Sequence, residues 1–196
     1  MPKAVDLLDH VLTDLESVRD FLRLEENEFD DRLIDFINQA TGLIEARTRR
    51  KLLSRGHTFM LDGTGSHEIL VTEFPVTAVV SARWFSAYDY SVAEAIDTAG
   101  WVATAYGLLR LPVGYFPAGR LNVELVVTAG YLAGTHKQEL SDLGGLAKRL
   151  VRVMYQEFKN NRGAWDQASV GRGSVTFKAK PIEEILDSIP TKYLRF

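Results

Sequence analysis

The chain has 196 residues, no cysteine and a formal net charge of −3. That length suits one domain, or one domain carrying an inserted lobe, and at this size a core holds without a metal or a disulfide. The missing cysteines exclude a disulfide scaffold, Cys-ligated zinc, iron–sulfur clusters and thiol catalysis, and 26 acidic against 23 basic residues exclude a global electrostatic hold on nucleic acid.

The N-terminal third reads as helix. Thr13-x-x-Glu16 has the spacing of a capping box, in which a hydroxyl and a carboxylate satisfy free N–H groups at a helix start. A short helix to Leu24 would bury Leu15, Val18, Phe21 and Leu22. Acidic residues 25–31 then lead into a second helix over 33–48. Its apolar positions Phe29, Leu33, Phe36, Ile37, Ala40, Leu43 and Ile44 recur at three and four. Arg47, Arg49, Arg50 and Lys51 close it with cations at the negative end of the helix dipole.

From about residue 58 the period changes to two. Residues 62–66 read as a hairpin turn between strands at 58–61 and 68–74. Val76, Ala78, Val80, Ala82 and Trp84 alternate after Pro75. Residues 86–97 read as an excursion or short strand, and 101–106 and 108–111 as two more short strands. Leu121, Val123, Leu125 and Val127 mark the clearest strand.

Helix returns after Ser141, with Leu143, Leu146, Ala147, Leu150, Val153, Met154 and Phe158 on one face. Residues 160–173 read as a loop and 175–178 as a short strand. Pro181 suits a helix first turn, and Ile182, Ile185, Leu186 and Ile189 give that helix an apolar face before Pro190 stops it. The expected class is α+β: a bundle of about four helices with an inserted antiparallel β-meander lobe. The divisions are residues 1–57 for the N-terminal helices, 58–131 for the β lobe, and 132–196 for the C-terminal helices and tail.

Candidate chemistry is sparse. Gly63-x-Gly65 lacks the following helix and the Lys-Ser/Thr pair of a phosphate loop. The four histidines, His10, His57, His67 and His136, are never three or four apart, so no helix presents a metal-binding pair. His57 and His67 flank the expected hairpin, where they could approach each other. No Gly-x-Ser-x-Gly elbow occurs. The paired acids Glu25-Glu26, Asp30-Asp31 and Glu183-Glu184 sit at helix N-termini, where dipole stabilisation accounts for them. No catalytic residue, cofactor or metal is therefore expected. Nor is a membrane partner. Asp6 and Asp9 interrupt the place where a signal peptide needs an apolar core, and the longest apolar stretch, 100–109, is shorter than a spanning helix.

Charge is segregated along the chain: net −7 over residues 1–31, +4 over 32–60, −4 over 61–131 and +4 over 132–196. Acidic and basic ends that complement each other between copies are one reading, with Asp14, Glu16, Glu25, Glu26, Asp30 and Asp31 facing Lys148, Arg149, Arg152, Lys159 and Arg162. The alternative reading is a nucleic-acid-binding module on the basic helix face at 148–162. Aromatic residues of the β segment, Trp84, Phe85, Tyr88, Tyr90 and Trp101 among them, could also serve a ligand-binding surface.

Three segments carry a family resemblance. The first is Thr13-Asp-Leu-Glu-Ser-Val-Arg-Asp-Phe-Leu-Arg-Leu24, followed by Asp30-Asp31 and the helix at 33–48. The second is Gly63-x-Gly65, Glu68-Ile-Leu-Val and Phe74-Pro75-Val76. The third is Val123-Glu-Leu-Val-Val-Thr-Ala-Gly-Tyr131, then the helix at 146–162 with its terminal Asn-Arg. Their order and spacing over residues 13–190 resemble the head–tail connector proteins of tailed phages, also called adaptor or head-completion proteins. The connection at 134–145 departs from the family in lacking its usual Pro. The resemblance implies a virion structural protein at the head–tail interface, assembled in the host cytoplasm and performing no reaction. It implies a ring, typically of twelve copies, that binds the portal protein, extends the channel for packaged DNA and gives the stopper or tail a docking site. It also implies that the apolar tail, Lys192, Tyr193, Leu194, Arg195 and Phe196, reaches the portal.

Overall fold

The computed structural model describes residues 8, 10–25, 29–86, 90–160 and 179–194, so the expected loop and strand at 160–178 lie almost wholly outside the described residues. The chain divides into two compact units. One combines Met1–Arg49 with Lys137–Phe196, and the other is the continuous segment Arg50–His136.

The first unit is helical. Helix α1 spans Leu15–Leu22 and α2 spans Asp30–Thr48. The cap of α1 is Asp14 rather than Thr13: its carboxylate accepts the Ser17 N–H at 2.8 Å and the Ser17 hydroxyl at 2.9 Å. A carboxylate at the cap satisfies an orphan N–H and meets the helix dipole as well, while Thr13 is buried. The helix thus starts one residue later than the capping-box spacing predicts. In so short a helix the inward line is Leu15, Val18 and Leu22, spaced i, i+3, i+7. Phe21 lies beside that line and is 43% exposed, against expectation.

Helix α2 buries Leu33, Phe36, Ile37, Ala40 and Ile44 as its periodicity predicts. Thr41 is buried with them, and its hydroxyl accepts the Leu12 N–H at 3.2 Å. Helix α3, Lys137–Asn160, starts four residues before the expected Ser141. Its face adds Val151 and Tyr155, whereas Val153 is half-buried. Phe29 meets the rings of Tyr155 and Phe158 edge-on at 5.9 and 5.7 Å, and Phe36 meets Phe158 at 6.2 Å, so aromatic contacts join α2 to α3. Helix α4, Ala179–Asp187, buries Ile182, and Ile189 follows it into the core.

The second unit holds two antiparallel sheets. Strands β1 (Arg55–Gly63), β7 (Gly119–Ala129), β3 (Val76–Phe85) and β4 (Ala93–Ala95) form the larger in that order. Strands β2 (Glu68–Leu70), β6 (Leu108–Arg110) and β5 (Val102–Ala103) form the smaller. The α+β class stands, but the strand order is not that of a meander, because β7 enters between β1 and β3. Strand β7 buries Val123, Leu125, Val127 and Ala129, the expected alternation. These side chains share one core with Ile69, Val71, Leu109, Leu111 and Phe116.

Two local expectations fail for physical reasons. Residues 62–66 do not close a hairpin, since β1 pairs with β7 and β2 with β6. They form instead a corner between sheets. Gly63 is required there because a Cβ would collide with the Pro117 carbonyl. On β3 the alternation breaks at register shifts between Val76 and Ala78 and between Val79 and Ser81. An extra residue reverses which side chain faces inward, and Val80 is 66% exposed.

Candidate functional site

The C-terminal segment bears most directly on the expected partner contacts. After Pro190, residues Thr191–Tyr193 form one 3-10 turn. Tyr193 is fully buried, and its hydroxyl donates to the Asp142 carboxylate on α3 at 3.1 Å. Lys192 pairs with the same carboxylate at 3.5 Å. A bond from Gln138, then those from Tyr193 and Lys192, hold the Asp142 carboxyl below its usual range, while burial pushes the Tyr193 phenol up. Tyr193 is thus engaged within its own chain, where folding back buries a large aromatic ring and pairs its hydroxyl. Leu194 is half-buried, and Arg195 and Phe196 lie outside the described residues.

The acidic set divides. Asp14 caps α1; the Ser17 N–H bond, the Ser17 hydroxyl and the charge of Lys148 hold its carboxyl below the usual range. Asp30 accepts both donors of an Arg19 fork, one of them at 2.8 Å. Both therefore have partners within their own chain. Glu16, Glu25 and Asp31 are exposed, and Glu26 lies outside the described residues. In the basic set Arg149, Arg152 and Lys159 are exposed on the outer face of α3 and Lys148 is half-buried, while Arg162 lies outside the described residues. Lys159 also sits 5.9 Å from the Tyr155 ring.

The other basic run disperses. Arg47 pairs with Asp187 at 2.6 Å, and Arg49 adopts the left-handed C-cap conformation of α2. Arg50 is 2% exposed, stacked 3.4 Å from the Phe74 ring and bonded to the Phe74 carbonyl. Arg47 and Arg50 thus have partners within their own chain.

The histidines do not converge. His57 stacks on Phe59 at 5.8 Å within β1, and His67 bonds to the Gly114 carbonyl. Among the described residues no group of three or more His, Asp or Glu is placed to hold a metal ion. No helix among them is long and apolar enough to cross a membrane.

One constellation was only half foreseen in the sequence. Opposite Asp62 of β1, strand β7 carries the three residues 120–122, a pronounced bulge. Asp62 accepts the Leu121 N–H at 2.6 Å. The Asn122 side chain accepts the Gly63 N–H at 2.9 Å and donates to the Pro117 carbonyl at 3.0 Å. Leu121 is held at φ +48° and is 46% exposed instead of facing the core. The bulge forms one wall of a cleft of about 200 Å³, with Trp84, Phe85 and Tyr90 opposite Arg120, Leu121 and Asn122. Tyr90 meets Phe85 edge-on at 5.1 Å. The sequence had offered Trp84, Phe85 and Tyr90 as part of an aromatic surface, but nothing in it pointed to the bulge at 120–122 that faces them.

No protein-family model matches the chain, and no curated protein matches it. Solved structures do. A chain of the neck of a native GTA particle, computed with C12 symmetry, is 18% identical, with TM-score 0.56 over 100% of this chain and 96% of that one. A chain of the neck of an empty GTA particle, computed with C6 symmetry, is 20% identical, with TM-score 0.55 over 99% and 95%. A chain of the virion of a native gene transfer agent (GTA) particle is 20% identical, with TM-score 0.52 over 99% and 95%. Over its whole length the chain shares the fold of chains from gene transfer agent necks.

Proposed function

We propose that the chain is a virion structural protein of the neck: a head–tail connector subunit that forms a ring on the portal protein. The ring extends the channel for packaged DNA and offers the stopper or tail a docking surface. The observation that carries this reading is the likeness of fold to chains of C12 and C6 neck assemblies, which covers both chains almost completely. Such a subunit assembles in the host cytoplasm and catalyses no reaction.

In this reading the intrachain contacts leave only part of the tail and part of the acidic set for partners. With Tyr193 and Lys192 engaged by Asp142, the portal-reaching part of the tail reduces to Leu194, Arg195 and Phe196, and Tyr193 is its anchor point. With Asp14 and Asp30 satisfied internally, the acids left for a neighbour's Arg149, Arg152 and Lys159 are Glu16, Glu25 and Asp31. A ring requires two different patches related by a rotation that closes, and opposite charges suit that arrangement.

Co-sedimentation with portal rings tests the reading. The full-length chain should pellet with them at a fixed stoichiometry, and removal of residues 194–196 should weaken that association. A chain that stays in the supernatant at every ratio would contradict it.

A further inference from the structure

The strands of the second unit carry a protruding aromatic residue at one end and an aromatic cleft at the other. Tyr106 sits on the turn between β5 and β6 and is 69% exposed. That turn is tightly built. Thr104 accepts the Gly107 N–H at 3.2 Å and donates its own N–H to Leu108 at 2.9 Å. Its hydroxyl accepts the Leu108 N–H at 3.2 Å. Gly107 has φ +84°, and a Cβ there would collide with the Val71 carbonyl. A solvent-exposed tyrosine on a turn with so little freedom loses little entropy when it is captured.

The β7 wall of the cleft is preformed too. Asp62 and Asn122 hold the bulge, and Leu121 keeps a left-handed conformation that costs a non-glycine residue free energy. The exposed rim residues Tyr90 and Leu121, with Arg120, surround room for a single aromatic ring. Gly107 lies against Val71 and Phe74, just before β3 begins, and the cleft is lined by Trp84 and Phe85, where β3 ends. Strand β3, ten residues long, runs from one feature to the other, roughly 30 Å at ~3.3 Å per residue. A head-to-tail contact needs two unlike patches on separate parts of one surface.

We propose that Tyr106 of one copy seats in the Trp84–Tyr90–Arg120 cleft of the next copy, a knob-and-hole contact between adjacent β units. The occupant is a second copy of this chain. The turn residues Thr104, Ala105, Tyr106 and Gly107 are uncharged, so they bring no charge into an aromatic cleft. Arg120 lies where a cation can sit against the incoming ring or bond to its hydroxyl. This contact rests on the ring reading above.

The absence of cysteine gives a test without background. Full-length protein carrying Ala105→Cys, on the exposed turn beside the intact Tyr106, and Ser86→Cys, at the cleft, is treated with a short bis-maleimide, alone at high concentration and mixed with portal rings. Head-to-tail contact predicts a ladder of covalent oligomers well beyond dimers, and each single variant should stop at dimers. Tyr106→Ala in the cysteine-free chain should lower the yield of rings at least tenfold with its melting temperature unchanged. Rings visible by electron microscopy with cross-linking limited to dimers would overturn the contact and leave the ring reading standing. No rings and no ladder under either condition would overturn both.

Discussion

His57 is half-buried on β1, and its Nε2 has no hydrogen-bond partner among the described residues. Burial lowers its pKa; the Glu73 carboxylate works against that shift, while Arg55 and Lys51 add to it. The imidazole is therefore neutral in the fold, and the unfolded chain binds its proton first. Its contribution to stability is complete above the unfolded value, near 6.5, and is lost as pH falls from there towards the lower folded value. Asp35 has the opposite sign: burial raises its pKa, so its cost to the fold is relieved in acid, above the carboxylate value of 3.8. Thermal melts between pH 7.5 and 5.5 should show a falling melting temperature for the wild type and a flatter profile for His57→Asn. Parallel profiles would contradict this account. At the same scale, Asp14→Ala should lose about 1 kcal/mol in urea unfolding, the usual worth of a side-chain cap, and Asp14→Ser should keep most of it.

The C-terminal turn is an element of the helical unit in its own right. Tyr193 is among the largest fully buried side chains, so Tyr193→Ala should destabilise by about 3–5 kcal/mol, as deleting a buried aromatic does. Tyr193→Phe should cost much less, since it keeps the buried ring and gives up only the bond to Asp142. A cut after Pro190 should therefore lower the melting temperature markedly, whereas a cut after Tyr193 should leave it nearly unchanged. Glycines give a second contrast. Gly42 lies inside α2, and an added methyl there would meet open space, so Gly42→Ala should stabilise by ~0.5–1 kcal/mol. Gly63→Ala at the corner between sheets should destabilise, since the Pro117 carbonyl occupies that space.

These elements also mark what could be read from the sequence. The stripes of α2 and α3 and the alternation of β7 were legible because burial on one face imposes a period. The corner at Gly63 was not, because a glycine-rich turn looks alike whether the next strand pairs with the previous one or leaves for another sheet. The outward Val80 and Leu121 were hidden for a related reason: bulges insert residues without a composition signal. The burial of Tyr193 was not legible either, because Pro190 stops a helix without fixing where the apolar residues beyond it pack. The aromatic cleft depends on register between β1 and β7, which no local pattern encodes.

At the scale of the molecule, the reading is a ring subunit without a reaction. On the proposed reading, the exposed Arg149, Arg152 and Lys159 on α3 would meet a neighbouring copy rather than DNA. Binding to free duplex DNA should be weak at physiological salt. A nucleic-acid-binding module would instead show affinity falling steeply with salt, one condensed cation being released for about each phosphate contacted. The central claim is tested most directly by single-particle electron microscopy of the full-length chain mixed with its portal protein. Class averages down the portal axis should show an added ring with C12 or C6 symmetry, built from copies of this chain. Portal particles without added density, or the chain bound as scattered single copies, would contradict it.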